Sequence, residues 1–333
     1  MMTAWCLLLA ALATPTPLQG PVAIIDATPA PDSALEADVE ALLEGVAPLR
    51  IELGLEGSSE LDREDVVILG RGDLEGADSR ALSERVREAP AVLMEGGSLL
   101  AWHETLYMAR RPTRLVHALS RHSREGRAII GVGGAGAALA GGGIVKSAEL
   151  KEVLRNPRRA YELQARVALG WGPPALVDAD SWGGEPVRTL RIMERSYMAQ
   201  AAHLGPGSGL VLLPRHKQVK VLGEGGVAFF ETAPGRRNRH DLRKGSLSLL
   251  TRGDVWELAH GKLTPDPLAE MRPSPHVDFE QALRGLAADP PTRTSLECAW
   301  GYLLLRQRDD TRLIGPEDAL RPIRAEFDLL KSP

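Results

Sequence analysis

The chain has 333 residues, 44% of them hydrophobic and 25% charged, which is enough to bury a core and too apolar overall for a disordered chain. A formal net charge of -4 gives no electrostatic case for binding nucleic acid, and the basic stretch at 235–243 reads as a solvated loop. The two cysteines, Cys6 and Cys298, lie far apart, so neither a disulfide framework nor a zinc site is implied, and Cys298 reads as a buried hydrophobe.

Residues 1–13 are apolar and end in Ala11-Leu12-Ala13, ahead of Thr14-Pro15-Thr16-Pro17. A short export signal, with 1–20 as leader, and a first core strand both fit this run, although no Lys or Arg precedes it. Export to a secreted or periplasmic location is slightly favoured over the cytoplasm. No later stretch has the length and apolarity of a transmembrane helix.

Residues 22–25 form a short apolar run, and 33–43 follow with helical spacing through Leu35, Val39, Leu42 and Leu43. The stretches 49–53 and 66–69 read as strands, and 79–88 as a helix stopped by Pro90. Residues 91–94 are the next strand, leaving through Glu95-Gly96-Gly97-Ser98 into a helical segment with Leu99, Leu100, Trp102 and Leu106. At 127–143 an apolar run turns abruptly into a glycine-dense segment and then small residues, the pattern of a buried strand feeding a tightly packed helix. This alternation predicts a doubly wound, mainly parallel α/β sheet, with ligands at the carboxyl ends of its strands, where both glycine turns would lie.

Further on, 148–153, 160–168 and 186–203 read as helices and 175–177 as a strand. The runs 209–213, 219–222, 227–230, 247–250 and 255–258 predict a small antiparallel β extension. A Pro-rich linker at 265–277 separates the core, 21–264, from a helical C-terminal appendage, 278–333, with helices over 279–287, 294–306 and 316–330. That appendage is a candidate surface for a protein partner.

Gly131-Val132-Gly133-Gly134-Ala135-Gly136 satisfies a dinucleotide fingerprint, but it follows several strands, and the nearest acid, Glu149, falls in a helical run. A dinucleotide held through Gly131, Gly133 and Gly136 is therefore a minor alternative, and no cofactor is expected. His103-Glu104-Thr105-Leu106-Tyr107 begins like a zinc-protease helix but carries Tyr107 in place of the second histidine, so no metal is expected. His117, His122, His203 and His240 are scattered and read as solvated or hydrogen-bonded histidines. Trp102 and Tyr107 read as packing.

Across 22–258 the order of segments resembles the cyanophycinase family of serine peptidases, which includes the aspartyl dipeptidases and has a class I glutamine amidotransferase-like fold. The family's Gly-Gly-Asp/Asn-Gln resembles Gly96-Gly97-Ser98-Leu99, and its Gly-Thr-Ser-Ala-Gly-Ala, with the serine as nucleophile, resembles Val132-Gly133-Gly134-Ala135-Gly136-Ala137. Its Asp-Gln-His and following arginines resemble Asp178-Ala179-Asp180 with Arg188 and Arg191. Its Asp-Glu-x-Thr-Ala-Leu aligns with Gly205-Pro206-Gly207-Ser208-Gly209-Leu210, without the acidic pair. Its Gly-Glu-Gly and Leu-x-x-Gly-Asp match Gly223-Glu224-Gly225 and Leu250-Thr251-Arg252-Gly253-Asp254.

The resemblance implies a peptidase scaffold whose nucleophile position is Gly134 and whose histidine position is Asp180. A serine hydrolase without nucleophile and base loses its chemistry. The implied function is a catalytically inactive homologue that binds a peptide or small acidic ligand through Gly96, Gly97, Ser98, Gly133, Gly134, Asp178, Arg188 and Arg191. An active hydrolase using Ser98 or Ser181 as substitute nucleophile is the alternative.

Overall fold

The computed structural model describes residues 19–54, 65–108, 111–143, 169–173, 175–179, 199–234, 240–250, 252–258, 262–264 and 312–314. The chain opens with β1 (Val22–Ile25), four consecutive apolar residues that are all buried. Next come α1 (Ala34–Leu43), β2 (Leu49–Gly54), β3 (Val66–Gly70), α2 (Leu74–Ala77), α3 (Arg80–Glu88) and β4 (Ala91–Gly96). Then follow α4 (Leu99–Leu106), the short pair β5 (Tyr107–Met108) and β6 (Arg111–Pro112), α5 (Arg114–Arg124), β7 (Ala128–Val132) and α6 (Gly134–Leu139). The remaining strands are β8 (Gly142–Gly143), β9 (Leu176–Asp178), β10 (Gln200–Leu204), β11 (Ser208–Leu213), β12 (Gln218–Gly223), β13 (Val227–Pro234), β14 (His240–Leu250), β15 (Val255–Glu257), β16 (Lys262–Thr264) and β17 (Arg312–Ile314).

Among the described residues the main sheet has nine strands in the order β16, β15, β12, β11, β1, β7, β4, β2, β3. The pairs from β1 through β7, β4 and β2 to β3 are all parallel. β7 is buried along its whole length, as a strand covered on both faces must be, whereas β3 at the edge alternates half-buried and buried residues. One face packs under α1, where Leu35, Val39, Leu42 and Leu43 meet Ala23, Ile25, Ile130, Val132 and Leu222. The other face packs under the remaining helices, with Leu82, Val86, Trp102, Leu115, Leu119 and Leu139 in one cluster with Val22, Ile24 and Ile129. The mainly parallel α/β core is therefore as expected.

The antiparallel part is larger than the small extension the pattern predicts. β11, β12, β15 and β16 continue the main sheet beyond β1 by antiparallel pairing. A second sheet, β17, β14, β13, β10, β9, β8, lies against the helical face, since Val177, Ala202, Leu204, Val227 and Phe229 join the same core cluster. The expected helix at 186–203 is corrected at its end: Gln200–Leu204 is a strand, parallel to β9 and antiparallel to β13. Ala201 and Ala202 favour helix intrinsically, but full burial between two strands overrides that preference. The basic stretch expected to be a loop enters β14 at His240, and Arg312–Ile314, between two expected C-terminal helices, pairs with β14. The helices expected at 148–153, 160–168, 279–287, 294–306 and 316–330, and the linker, lie outside the described residues. Helix α5 occupies a stretch for which the alternation predicts no element. Among the described residues no helix is long and apolar enough to cross a membrane.

Two sets of polar contacts fix the frame. Asp38 on α1 accepts Gly223 N–H at 2.8 Å and a two-toothed contact from Arg252, with Nη2 at 2.6 Å and Nε at 2.9 Å. This ties α1 to the turns ending β12 and preceding β15. At the opposite end, α3 runs into Pro90, which has no N–H, so the last helical carbonyls need other donors. His122 lies 3.0 Å from Val86 O, and the Arg127 guanidinium donates to Arg87 O and to Ala89 O.

Candidate active-site elbow

β4 and β7 are parallel neighbours, with Met94 beside Gly131, so both glycine turns leave the sheet at the same carboxyl edge, as the alternation predicts. They touch. A β-carbon on Gly134 would press on Gly97 O and come within 2.8 Å of the Ser98 carbonyl carbon and 2.9 Å of Leu99 N. These are backbone atoms, which cannot rotate aside, so a side chain at 134 is excluded by packing.

The strained position is one residue earlier. Gly133 caps α6 with φ 56 and ψ -119, a left-handed conformation that side chains strongly disfavour. Its N–H donates to Ile25 O at 2.9 Å. A β-carbon there would meet Asp26 O at 3.5 Å, an ordinary contact. The strained residue of this strand-to-helix turn is therefore Gly133, whereas the resemblance places its nucleophile position at Gly134.

The remaining fingerprint glycines have a packing reason. A β-carbon on Gly131 would lie 2.7 Å from Gly136 Cα, and one on Gly136 would lie 2.7 Å from Ile24 Cγ2. They let α6 rest directly on the strands, with no phosphate required. Gly96, Gly97 and Ser98 are exposed. Ser98 Oγ accepts Ala101 N–H at 3.2 Å as the cap of α4, a structural role that a Ser in this place fills without chemistry. Trp102, buried as packing, donates its indole N–H to Gly96 O at 2.7 Å and anchors the turn from below. In the segment resembling a zinc-protease helix, Glu104 pairs with Arg71 at 3.1 Å and His103 stacks near Tyr107.

Asp178 is buried at the end of β9, where its Oδ2 lies 3.5 Å from Nδ1 of His203, also buried, on β10. The pairing joins a site residue named by the resemblance to a histidine that sequence reasoning passed over. The signal lay in 200–204 being a strand parallel to 176–178. From β10 the chain turns at Gly205 into β11, where Ser208 O accepts Asp26 N–H at 3.0 Å, beside the elbow. Asp26 is itself buried at the carboxyl end of β1, a second acid the motifs do not mark. Asp180, Ser181, Arg188 and Arg191 lie outside the described residues.

Glu95, immediately before Gly96, is the titratable group nearest in sequence to the exposed turn. Burial pushes its carboxyl above the usual range, Arg50 at 3.7 Å pulls the other way, and Glu52 directly opposite on β2 reinforces the rise.

No protein-family model matches this chain. No curated protein matches it either. Among solved structures it is similar to a peptidase from an acI-B1 Actinobacterium, over 63% of this chain and 90% of that one, with 15% identity and a TM-score of 0.45.

Proposed function

We propose that this chain is a cyanophycinase-like peptidase homologue of amidotransferase-like fold that binds a peptide or small acidic ligand at its elbow without cleaving it. The observation carrying this reading is Gly133, which holds the strained elbow conformation with no side chain to attack from. The neighbouring position is no substitute, because the Gly97–Ser98 backbone fills the space a side chain at 134 would need. Ser98, the alternative nucleophile, already has its Oγ engaged as a helix cap. The binding set is then Gly96, Gly97, Ser98, Gly133, Gly134 and Asp178, with Arg188 and Arg191 supplying carboxylate recognition, all within a core of 21–264, and 278–333 is the part offered to a protein partner.

A fluorophosphonate probe together with calorimetry on an acidic dipeptide tests the proposal. The wild-type protein is expected to stay unlabelled and to bind the dipeptide intact, and Gly133→Ser and Gly134→Ser should stay unlabelled as well, since the resemblance leaves no histidine base to activate a restored serine. Cleavage of the dipeptide by the wild-type protein, abolished in Ser98→Ala, would overturn the proposal in favour of the hydrolase alternative.

A further inference from the structure

We propose that the exposed face of α5 docks on an anionic lipid membrane. Between Leu106 and Arg127 the sequence holds six arginines against one glutamate, a local charge of +5 in a chain whose net charge is -4. The helix sorts them. Leu115, Val116, Ala118, Leu119, His122 and Ser123 are buried, while Arg114, His117, Arg121 and Arg124 are exposed at intervals of three, four and three residues. That spacing puts the four on one stripe about 15 Å long. Arg111, exposed on β6, extends the stripe past the helix start. At the other end the β11–β12 turn brings exposed Arg215 and Lys217, since a β-carbon on Gly126 would stand 2.9 Å from Nη2 of Arg215.

The acids beside the stripe are already engaged. Glu125 is held by Arg121 at 2.8 Å and by Arg127 at 2.6 Å, and Asp78 accepts the Arg114 N–H at 2.8 Å. Glu84 and Glu88 line a groove shared with Arg87, Arg121 and Arg127. Arg111, Arg114 and Arg124 take part in no ion pair among the described residues.

Guanidinium groups hold phosphate oxygens two at a time, so the stripe suits a phosphate-bearing surface. Apolar groups at both of its ends favour lipid over nucleic acid. Met108, 42% exposed, stands opposite Arg111 in the β5–β6 pair. At the far end Gln19 and Gly20 donate to Ser123 O at 3.2 and 2.8 Å, so the apolar run 1–13 leads, through residues 14–18, to the end of α5 beside Arg124. A polybasic face next to an apolar segment supplies the two contributions that together hold a protein on an anionic bilayer. Each cation at such a surface strengthens binding about fivefold, and salt screens that gain.

Flotation of the full chain with phosphatidylcholine vesicles, with and without phosphatidylglycerol, tests the proposal. The ratio of the two partition coefficients isolates the charged stripe, because the apolar run contributes to both. The expected result is a preference for the anionic vesicles that fades at high salt. Arg124→Gln should lower the ratio about fivefold, and Arg111→Gln, Arg114→Gln and Arg124→Gln combined should lower it on the order of 100-fold. Arg50 alternates with Leu49 and Ile51 of the core, so it points to the opposite face of the sheet, and Arg50→Gln should leave the ratio unchanged. Equal partition into both kinds of vesicle, or a combined variant that keeps the wild-type ratio, overturns the proposal. Tighter binding to duplex DNA or to poly-glutamate at the same salt also overturns it, and would reassign the face to nucleic acid or to an acidic protein.

Discussion

Replacing Gly134 by alanine tests whether the two glycine turns are packed as described. The single added methyl would press on Gly97 O, the Ser98 carbonyl carbon and Leu99 N, all backbone atoms at the start of α4. That start is held by the Ser98 cap and by the Trp102 indole on Gly96 O, so the turn can yield only by losing one of these contacts. Overpacking of this kind costs about 1–3 kcal/mol. At roughly 2–4 °C per kcal/mol for a domain of this order of size, the melting temperature should fall by roughly 2–12 °C. Gly133→Ala should cost about the same, 1–3 kcal/mol, for a different reason, since space is available there and the strain lies in the backbone. Thermal melting with NMR of the Trp102 indole N–H separates the two. Gly134→Ala should move the indole signal and Gly133→Ala should leave it in place. A Gly134→Ala protein that melts with the wild type and keeps its indole signal would refute the contact between the turns.

Asp38→Ala should cost more than Arg252→Ala. Asp38 holds both the partly exposed Arg252 and the Gly223 N–H; losing the ion pair alone is worth about 0–1 kcal/mol, and losing the charged hydrogen bond adds about 1.5–3 kcal/mol. Chemical denaturation of the two variants checks the order, and equal losses would remove the Gly223 bond from the account. Glu95→Gln should raise the melting temperature near pH 7, because a carboxyl raised by burial contributes fully below about pH 4.3 and loses that contribution as pH rises through its folded value. The gain should shrink toward pH 4, and a gain growing in that direction would reverse the sign assigned to Glu95.

The parallel strands of the main sheet were legible because most are short apolar runs bounded by turn signals, and β2 alternates apolar residues with Arg50 and Glu52. Helix α5 was harder to read. Its apolar stripe of Leu115, Val116 and Leu119 is interrupted by His122, which is buried and polar, so periodicity understates the face it packs. Gln200–Leu204 was misread because its small residues favour helix, and their strand state is imposed by β9 and β13 on either side. The meeting of the two glycine turns was legible, since adjacent parallel strands deliver their ends to one edge. The residue that takes the strained angles was not, because Gly131, Gly133 and Gly134 all permit such angles and only the three-dimensional turn selects one. The Asp178–His203 pair joins positions far apart in the chain, and no spacing rule links them.

The glycines of the elbow fall into two kinds, and the difference bears on chemistry. Gly131, Gly134 and Gly136 are demanded by contacts, since a β-carbon at any of them would strike backbone or core atoms, and this holds whether or not the protein has an activity. Gly133 is not demanded by contact. A β-carbon would fit at 3.5 Å from Asp26 O, and what glycine removes there is strain of about 1–3 kcal/mol. An active elbow retains that strain because the nucleophile must point outward from the turn. A chain with no nucleophile at this place has no such use for the strain, and glycine relieves it. The stability lost in Gly133→Ser therefore measures what an active elbow would have to bear, while the probe reactivity of the same variant measures what it would gain. A variant that folds with that modest loss and stays unlabelled is the expected outcome, an elbow conformation with no base to activate its serine; labelling of Gly133→Ser would show that a base is in reach and would count against the inactive reading.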